Sequence, residues 1–115
     1  MQPGELYWVE YPQGDGREQA GRRPCLILQN DGYAARSPLV VSVPLTSTPG
    51  IETRFPAVVP VAADAQNGLT ADSFALVFQI RATDRRRFRG RIGTVAPEAL
   101  ERIYQALDLL TGRPN

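Results

Sequence analysis

Residues 16–31 read GREQAGRRPCLILQND, and this stretch changes abruptly from a polar segment to an apolar one. The part up to Arg22 is rich in glycine and charge, whereas residues 25–28 are continuously apolar. Because the residue before a proline is restricted to extended backbone, Arg23 is expected at the entrance of a strand, with its side chain near the preceding loop. A charged loop fixed to the mouth of a buried strand is a common way to hold functional groups rigidly.

Length and composition indicate one domain that spans residues 1–115. The hydrophobic fraction of 43% and the charged fraction of 22% are ordinary for a globular protein. No apolar run approaches the length of a membrane span, and the N-terminus lacks a signal pattern, so we expect a cytoplasmic protein without a membrane partner. The single cysteine, Cys25, lies in the apolar run and is expected to be an inert core thiol rather than a nucleophile.

All 13 basic residues are arginine, and the chain contains no lysine and no histidine. Arginine offers a planar fork of donors that suits phosphate groups and base edges, although a GC-rich genome explains the same bias. The absence of histidine excludes it as general base, metal ligand or activator of a nucleophile. No P-loop, dinucleotide-binding fingerprint, zinc motif or calcium loop is present, and the acidic residues lack metal-site spacing. We therefore expect neither a cofactor nor a metal.

Apolar patterning and turn residues predict six strands. Pro60 favours an edge position for the fourth strand because proline cannot donate to a ladder, and the fifth is expected to be central. Trp8, Phe74 and Phe78 are expected in the core. The predicted strands are residues 4–10, 23–29, 38–46, 56–61, 73–80 and 91–95, with a glycine-rich loop over 12–22, a turn over 30–37 and short turns or helices over 64–67 and 84–88.

One long helix is predicted over residues 97–110. Pro97 suits the first helical position, and Gly112 and Pro114 end the pattern. Its apolar face is expected to pack on the strands, with a partner helix as the alternative, and consists of Leu100, Ile103, Tyr104, Leu107 and Leu110. The fold class is therefore mainly β with helices, a small and mostly antiparallel β-barrel capped by a C-terminal helix.

Several motifs together resemble the MazF/PemK-type toxins. EQAGRRP at residues 18–24 is followed by an apolar strand and by QND at 29–31, and VPLT stands at 43–46. The resemblance continues with DS at 72–73, which leads a strand into QIR at 79–81, and with GTVAPE at 93–98 before the helix. These motifs occur in the order of the family and cover nearly the whole chain.

The resemblance implies a fold, an activity and partners. The fold is an SH3-like barrel of the PemK/CcdB type that forms a homodimer. The implied activity is that of a type II toxin–antitoxin toxin, a ribosome-independent endoribonuclease that cuts single-stranded mRNA at short motifs without a metal. The implied protein partner is a cognate antitoxin, expected to be an acidic, partly disordered peptide laid across the arginine-lined surface.

The same resemblance assigns site residues. It places the catalytic arginine on Arg23 and the catalytic threonine on Thr46. Tyr33 and Phe55 are further candidates for stacking on unpaired bases, and sequence specificity is expected in loops 12–22 and 47–55. The residues expected to contact RNA are Gln19, Gly21, Arg22, Ser47, Thr48, Phe55, Gln79 and Arg81.

Metal-free RNA cleavage needs help for the attacking 2′-hydroxyl, charge stabilisation on phosphorus and an acid for the leaving 5′-oxygen. The products are a 2′,3′-cyclic phosphate and a 5′-hydroxyl. Arg23 suits the clamp on the developing charge, and Thr46 can donate to the same phosphate if the two loops converge. Arginine is a poor base because it stays protonated, so Glu18, on the same loop, is a hypothetical alternative base.

Other interpretations stay open at this point. Arg23 alone is typical of a strand-end salt bridge, Thr46 of an ordinary strand-end hydroxyl, and Gln79 and Arg81 of a solvated strand end. A CcdB-type gyrase inhibitor shares the barrel, but its relatives act through a tryptophan-bearing tail that residues 110–115 lack. A non-catalytic RNA-binding or SH3-like adaptor module is the third possibility. The dimer interface is expected near Leu45, Ile80 and the C-terminal helix.

Overall fold

The structure is a computed structural model that describes residues 1–11 and 21–113. Seven strands and two α-helices make up the described chain. Short 3₁₀ turns lie at Ile51–Thr53, Val77–Gln79 and Arg85–Arg87. In chain order the elements are β1 (Glu5–Tyr11), β2 (Gly21–Ile27), α1 (Asp31–Ala34), β3 (Leu39–Thr46), β4 (Val58–Val61), β5 (Ser73–Leu76), β6 (Arg81–Asp84), β7 (Phe88–Thr94) and α2 (Pro97–Leu110).

All strand pairs are antiparallel, and the main order of the sheet is β4-β5-β3-β2-β1-β7, with β6 paired to β3 beside this path. The sheet has a barrel-like shape. Its two end strands, β4 and β7, do not pair within the described residues, so the barrel is not closed. The predicted class, mainly β with a C-terminal helix, is confirmed. The edge position of the strand that contains Pro60 is also confirmed.

The predicted strand 73–80 is wrong beyond Leu76. β5 pairs with the end of β3 through Leu45 and Ala75, and a continuous register would bring Ser42 opposite Phe78. Ser42 instead pairs with Arg81 of β6, and the three-residue turn Val77–Gln79 takes up the difference. Because the apolar residues of this stretch are buried in succession, the alternation that reveals a strand boundary is missing from the sequence.

Smaller differences occur at the ends of β2. The strand begins at Gly21, so Gly21 and Arg22 belong to it and not to the predicted loop. The strand ends at Ile27: the Leu28 amide still donates to the Val41 carbonyl, but the Val41 amide donates to the side chain of Gln29 at 2.9 Å. Residues that follow form α1, whose first turn is capped by the side chain of Asn30.

Two cores lie on opposite faces of the sheet. The larger core is covered by α2, which inserts Ala99 and Ile103. The smaller core contains Val9, Cys25, Ile27, Val40 and Phe88, with Tyr7 and Tyr11 packed at its border. β1 supplies both cores because successive side chains of a strand point to opposite faces.

The bounds predicted for α2 are those observed, and Pro97 occupies the start of the helix. Its packing on the sheet is confirmed for Ile103, Leu100 and Leu107, whereas Leu110 is exposed. Leu45, one of the residues near which the dimer interface is expected, is itself only 1% exposed and belongs to the larger core.

Candidate active site

Arg23 lies near the start of β2 and faces the smaller core. It pairs with Val9 of β1 and points to the same side of the sheet as Cys25, two residues further along the strand. The side chain is half-buried. Burial lowers the pKa of Arg23; Tyr11 and Cys25 act against this shift, and the positive charge of Arg81 adds to it. Arg23 therefore lies partly shielded from water and close enough to Arg81 to be repelled by its charge.

Tyr11 connects that second arginine to the core. The guanidinium carbon of Arg81 lies 4.0 Å from the centroid of the Tyr11 ring, which is the geometry of a cation–π contact. The Tyr11 hydroxyl lies 3.0 Å from the Cys25 sulfur. Burial raises the pKa of the Cys25 thiol to about 11 and raises that of Tyr11 as well, so both groups are neutral at physiological pH. The predicted position of Cys25 in the core is confirmed.

Thr46 is the last residue of β3 and lies level with Arg23. β2 and β3 pair through Cys25 and Pro44, and this register, continued by two residues, sets Thr46 opposite Arg23 and on the same face. The Thr46 hydroxyl lies 3.0 Å from the Thr48 hydroxyl and accepts from the Thr48 amide at 3.3 Å. The following loop thus orients the hydroxyl at the strand end.

Arg22 points away from this face. It alternates with Arg23 along the strand, and its guanidinium lies 3.7 Å from Glu10, a carboxylate that also accepts from Arg89 at 3.1 Å. Gly21 has a φ of +98°, which an L-residue with a side chain rarely adopts. The structure therefore places Arg22 on the opposite face of β2 from Arg23, in an ion pair with Glu10.

The remaining residues predicted to contact RNA lie in two segments, one after β3 and the other before and at the start of β6. Ser47 and Thr48 follow Thr46 directly, and Gln79 is exposed at the end of the turn that leads into Arg81. Phe55 is 40% exposed and stacks on Phe78, with ring centroids 4.9 Å apart.

Two further predictions concern residues elsewhere in the chain. Tyr33, on α1, is 73% exposed, but α1 follows the opposite end of β2 from Arg23. Glu18 and Gln19 lie outside the described residues.

Trp8, Phe74 and Phe78 were expected in the core, but all three are half-buried. Trp8 faces the side of the sheet opposite to Tyr11 and lines a cavity of about 170 Å³ whose rim includes Thr46 and Ser47. Sequence reasoning also missed Tyr11. The alternation of β1 could have indicated it, because Tyr11 follows Tyr7 and Val9 at every second position and these residues face the smaller core.

Within residues 1–11 and 21–113, no group of three or more acidic, cysteine or histidine side chains is arranged to hold a metal ion. Arg23 and Arg81 bring two guanidinium groups to the Tyr11 end of this face, and such groups suit an anionic ligand such as a phosphodiester. No helix in the described part of the chain is both long and apolar enough to span a membrane.

Comparisons with known proteins show which family the chain resembles. A family model described as the PemK-like, MazF-like toxin of type II toxin–antitoxin system matches residues 2–111. The chain is 32% identical to the endoribonuclease toxin MazF of Escherichia coli K12 over 110 residues, which are 95% of this chain and 92% of that protein.

Solved structures show the same fold. The crystal structure of MazF from Deinococcus radiodurans superposes with a TM-score of 0.78 at 27% identity and covers 97% of this chain and 96% of its own. A MazE–MazF crystal structure from the same organism gives a TM-score of 0.77 at 25% identity, with 99% of this chain and 97% of the other covered. The chain belongs to the PemK-like, MazF-like toxin family of type II toxin–antitoxin systems.

Proposed function

We propose that this chain is an endoribonuclease toxin that cleaves single-stranded mRNA without a metal and without the ribosome, leaving 2′,3′-cyclic phosphate and 5′-hydroxyl ends. The observation that carries the proposal is the placement of Arg23 and Arg81 on one face of the sheet, with Thr46 level with Arg23 at the end of β3. Relatives that bear the name endoribonuclease match nearly the full length of the chain and support it.

Each step of the reaction has a group to serve it. Arg23 contacts the scissile phosphate and stabilises the charge that develops as the 2′-oxygen attacks. Thr46 donates its hydroxyl to the same phosphate. Since burial lowers the pKa of Arg23, proton donation to the leaving 5′-oxygen is easier for this arginine than for an exposed one. Glu18 is proposed as the base that takes the proton of the 2′-hydroxyl.

The RNA extends from this centre across the loop after β3. Ser47, Thr48 and Phe55 contact it on one side, Gln79 and Arg81 on the other, and residues of loop 12–22, including Gln19, select the sequence that is cut. The two guanidinium groups supply the positive charge that a metal ion provides in metal-dependent nucleases.

The proposed partners are those of a type II toxin. We place the chain in the cytoplasm, as a homodimer, with a cognate antitoxin that covers the arginine-bearing face. A MazE–MazF complex among the structural neighbours supports the antitoxin proposal. The CcdB-type gyrase inhibitor is not favoured, because the family match and the named relatives are of the PemK/MazF type.

The decisive experiment is a cleavage assay on a long single-stranded RNA with excess EDTA, comparing the unmodified protein with Arg23→Ala. Arg102 is an exposed arginine on α2, and Arg102→Ala is the matched control for the loss of one positive charge. Discrete fragments with 5′-hydroxyl ends, lost in Arg23→Ala and retained in Arg102→Ala, are expected. Intact RNA in the presence of folded, unmodified protein overturns the proposal.

A further inference from the structure

Arg81 reaches the Arg23 face from a different strand and is held there by an aromatic ring. β6 is only four residues long, and Arg81 is its first, exposed residue. The guanidinium carbon lies 4.0 Å from the ring centroid of Tyr11, at the last position of β1. The contact of Arg81 with Tyr11 thus joins β6 to β1, two strands that are not neighbours in the sheet.

The position of Arg81 is electrostatically unfavourable without a partner. Its charge adds to the lowering of the Arg23 pKa, which means that the two cations repel each other. An exposed arginine has many rotamers, and both this freedom and the repulsion favour conformations away from Arg23. A ring face attracts a guanidinium group, so the Tyr11 ring opposes both effects.

The ring itself is fixed at both ends. The backbone of Tyr11 pairs with Gly21 of β2. The hydroxyl lies 3.0 Å from the sulfur of Cys25, a side chain that is completely buried. Because the thiol is part of the smaller core, the ring orientation that receives Arg81 is determined by core packing and not by solvent.

We propose that Tyr11 is a positioning residue that holds Arg81 beside Arg23, so that Arg81 forms a second contact to the RNA backbone next to the scissile phosphate. This inference rests on the proposed function, because it assigns Tyr11 a part in binding the substrate of the same site. The proposal assigns Tyr11 no contact with the RNA: Arg81 lies over one face of its ring, and the RNA contact is made by Arg81.

The test is steady-state cleavage of a short single-stranded RNA by Tyr11→Leu, Tyr11→Phe, Arg81→Ala and the double variant Tyr11→Leu/Arg81→Ala. Tyr11→Leu is expected to raise KM by roughly 3- to 30-fold, the range that a lost cation–π contact implies, and to change kcat little. Tyr11→Phe keeps the ring but removes the hydroxyl contact with Cys25, so its KM is expected to lie between that of the unmodified protein and that of Tyr11→Leu. The double variant is expected to have the KM of Arg81→Ala alone.

The dependence of KM on salt concentration distinguishes a positioning role of Tyr11 from a purely structural one. A lost phosphate contact lowers the slope of log KM against log salt by about 0.7 for a single strand. Tyr11→Leu and Arg81→Ala are expected to lower this slope equally, whereas a variant that merely loosens the fold leaves it unchanged. Thermal unfolding of each variant shows whether the protein is folded in the assay.

Two results overturn the inference in different ways. If the unmodified protein cleaves RNA and the effects of Tyr11→Leu and Arg81→Ala multiply in the double variant, Tyr11 does not act through Arg81. If the unmodified protein does not cleave RNA at all, the proposed function fails and this inference fails with it.

Discussion

Ser42 of β3 pairs with Arg81 of β6. If the register between β3 and β5 continued, Ser42 would instead pair with Phe78, three residues earlier in the chain. A shift by an odd number of residues turns side chains to the other face of a sheet. The turn Val77–Gln79 therefore decides that Arg81 points to the face that carries Tyr11 and Arg23. Without it, the second arginine of the candidate site would lie on the side of the larger core.

Thr46→Val is expected to lower kcat on the order of 100-fold, because it removes a hydroxyl donor to the reacting phosphate while keeping the shape of the side chain. Thr46→Ser keeps the hydroxyl and is expected to retain most of the activity. Single-turnover cleavage at saturating RNA measures the effect on the chemical step.

Thr111→Val is the control for this substitution, since the Thr111 hydroxyl donates to backbone carbonyls at the end of α2, those of Leu107 and Asp108. A cleavage rate for Thr46→Val equal to that of Thr111→Val would show that the hydroxyl at the end of β3 has no part in the reaction.

Glu18→Gln is expected to slow cleavage at saturating RNA by roughly 10²- to 10⁴-fold, the usual contribution of a general base. Its pH–rate profile should lose the acidic limb that a titrating carboxylate produces. Gln19→Ala, on the same loop, is the companion variant and is expected to affect KM instead. A full rate for Glu18→Gln at saturating RNA rules out Glu18 as the base.

The Cys25 thiol is expected to titrate near pH 11 in the folded protein and near 9.0 in denaturant. Since burial raises the pKa of this thiol, the fold favours its protonated form. The stabilisation is complete below pH 9 and is lost as the pH rises towards 11.

The chemical shift of ¹³C-labelled Cys25 Cβ, followed against pH, reports the thiol apart from the tyrosines. The free energy of unfolding, measured with urea over the same pH range, should fall more steeply than in Cys25→Ala. A native midpoint near 9 would mean that the thiol is accessible to water.

Ile103→Ala is expected to lower the free energy of unfolding by about 2–5 kcal/mol, because it leaves a cavity in the larger core under α2. Leu109→Ala, at a helix position that is 69% exposed, is expected to stay within about 0.5 kcal/mol of the unmodified protein. Urea unfolding monitored by circular dichroism measures both. Equal losses in the two variants would contradict the packing of α2 through Ile103.

Several features could be predicted because local physics determines them. The helix Pro97–Leu110 follows from an initial proline, an apolar stripe and a terminal glycine, each of which acts within a few residues. The start of β2 around Arg23 follows from the proline after it, and β3 from its β-branched run. The resemblance then assigned Arg23 and Thr46 their roles, although it could not show that they are level across two strands.

Pairing between distant segments determined the rest. The face of Arg81 depends on the register between β3 and β6, and the contact of Arg81 with Tyr11 joins residues 70 positions apart in the chain. The exposure of Trp8, Phe74 and Phe78 depends in the same way on which neighbours cover them. A local pattern specifies helix or strand and which residues are apolar, but long-range packing decides the register, and the register decides which side chains meet.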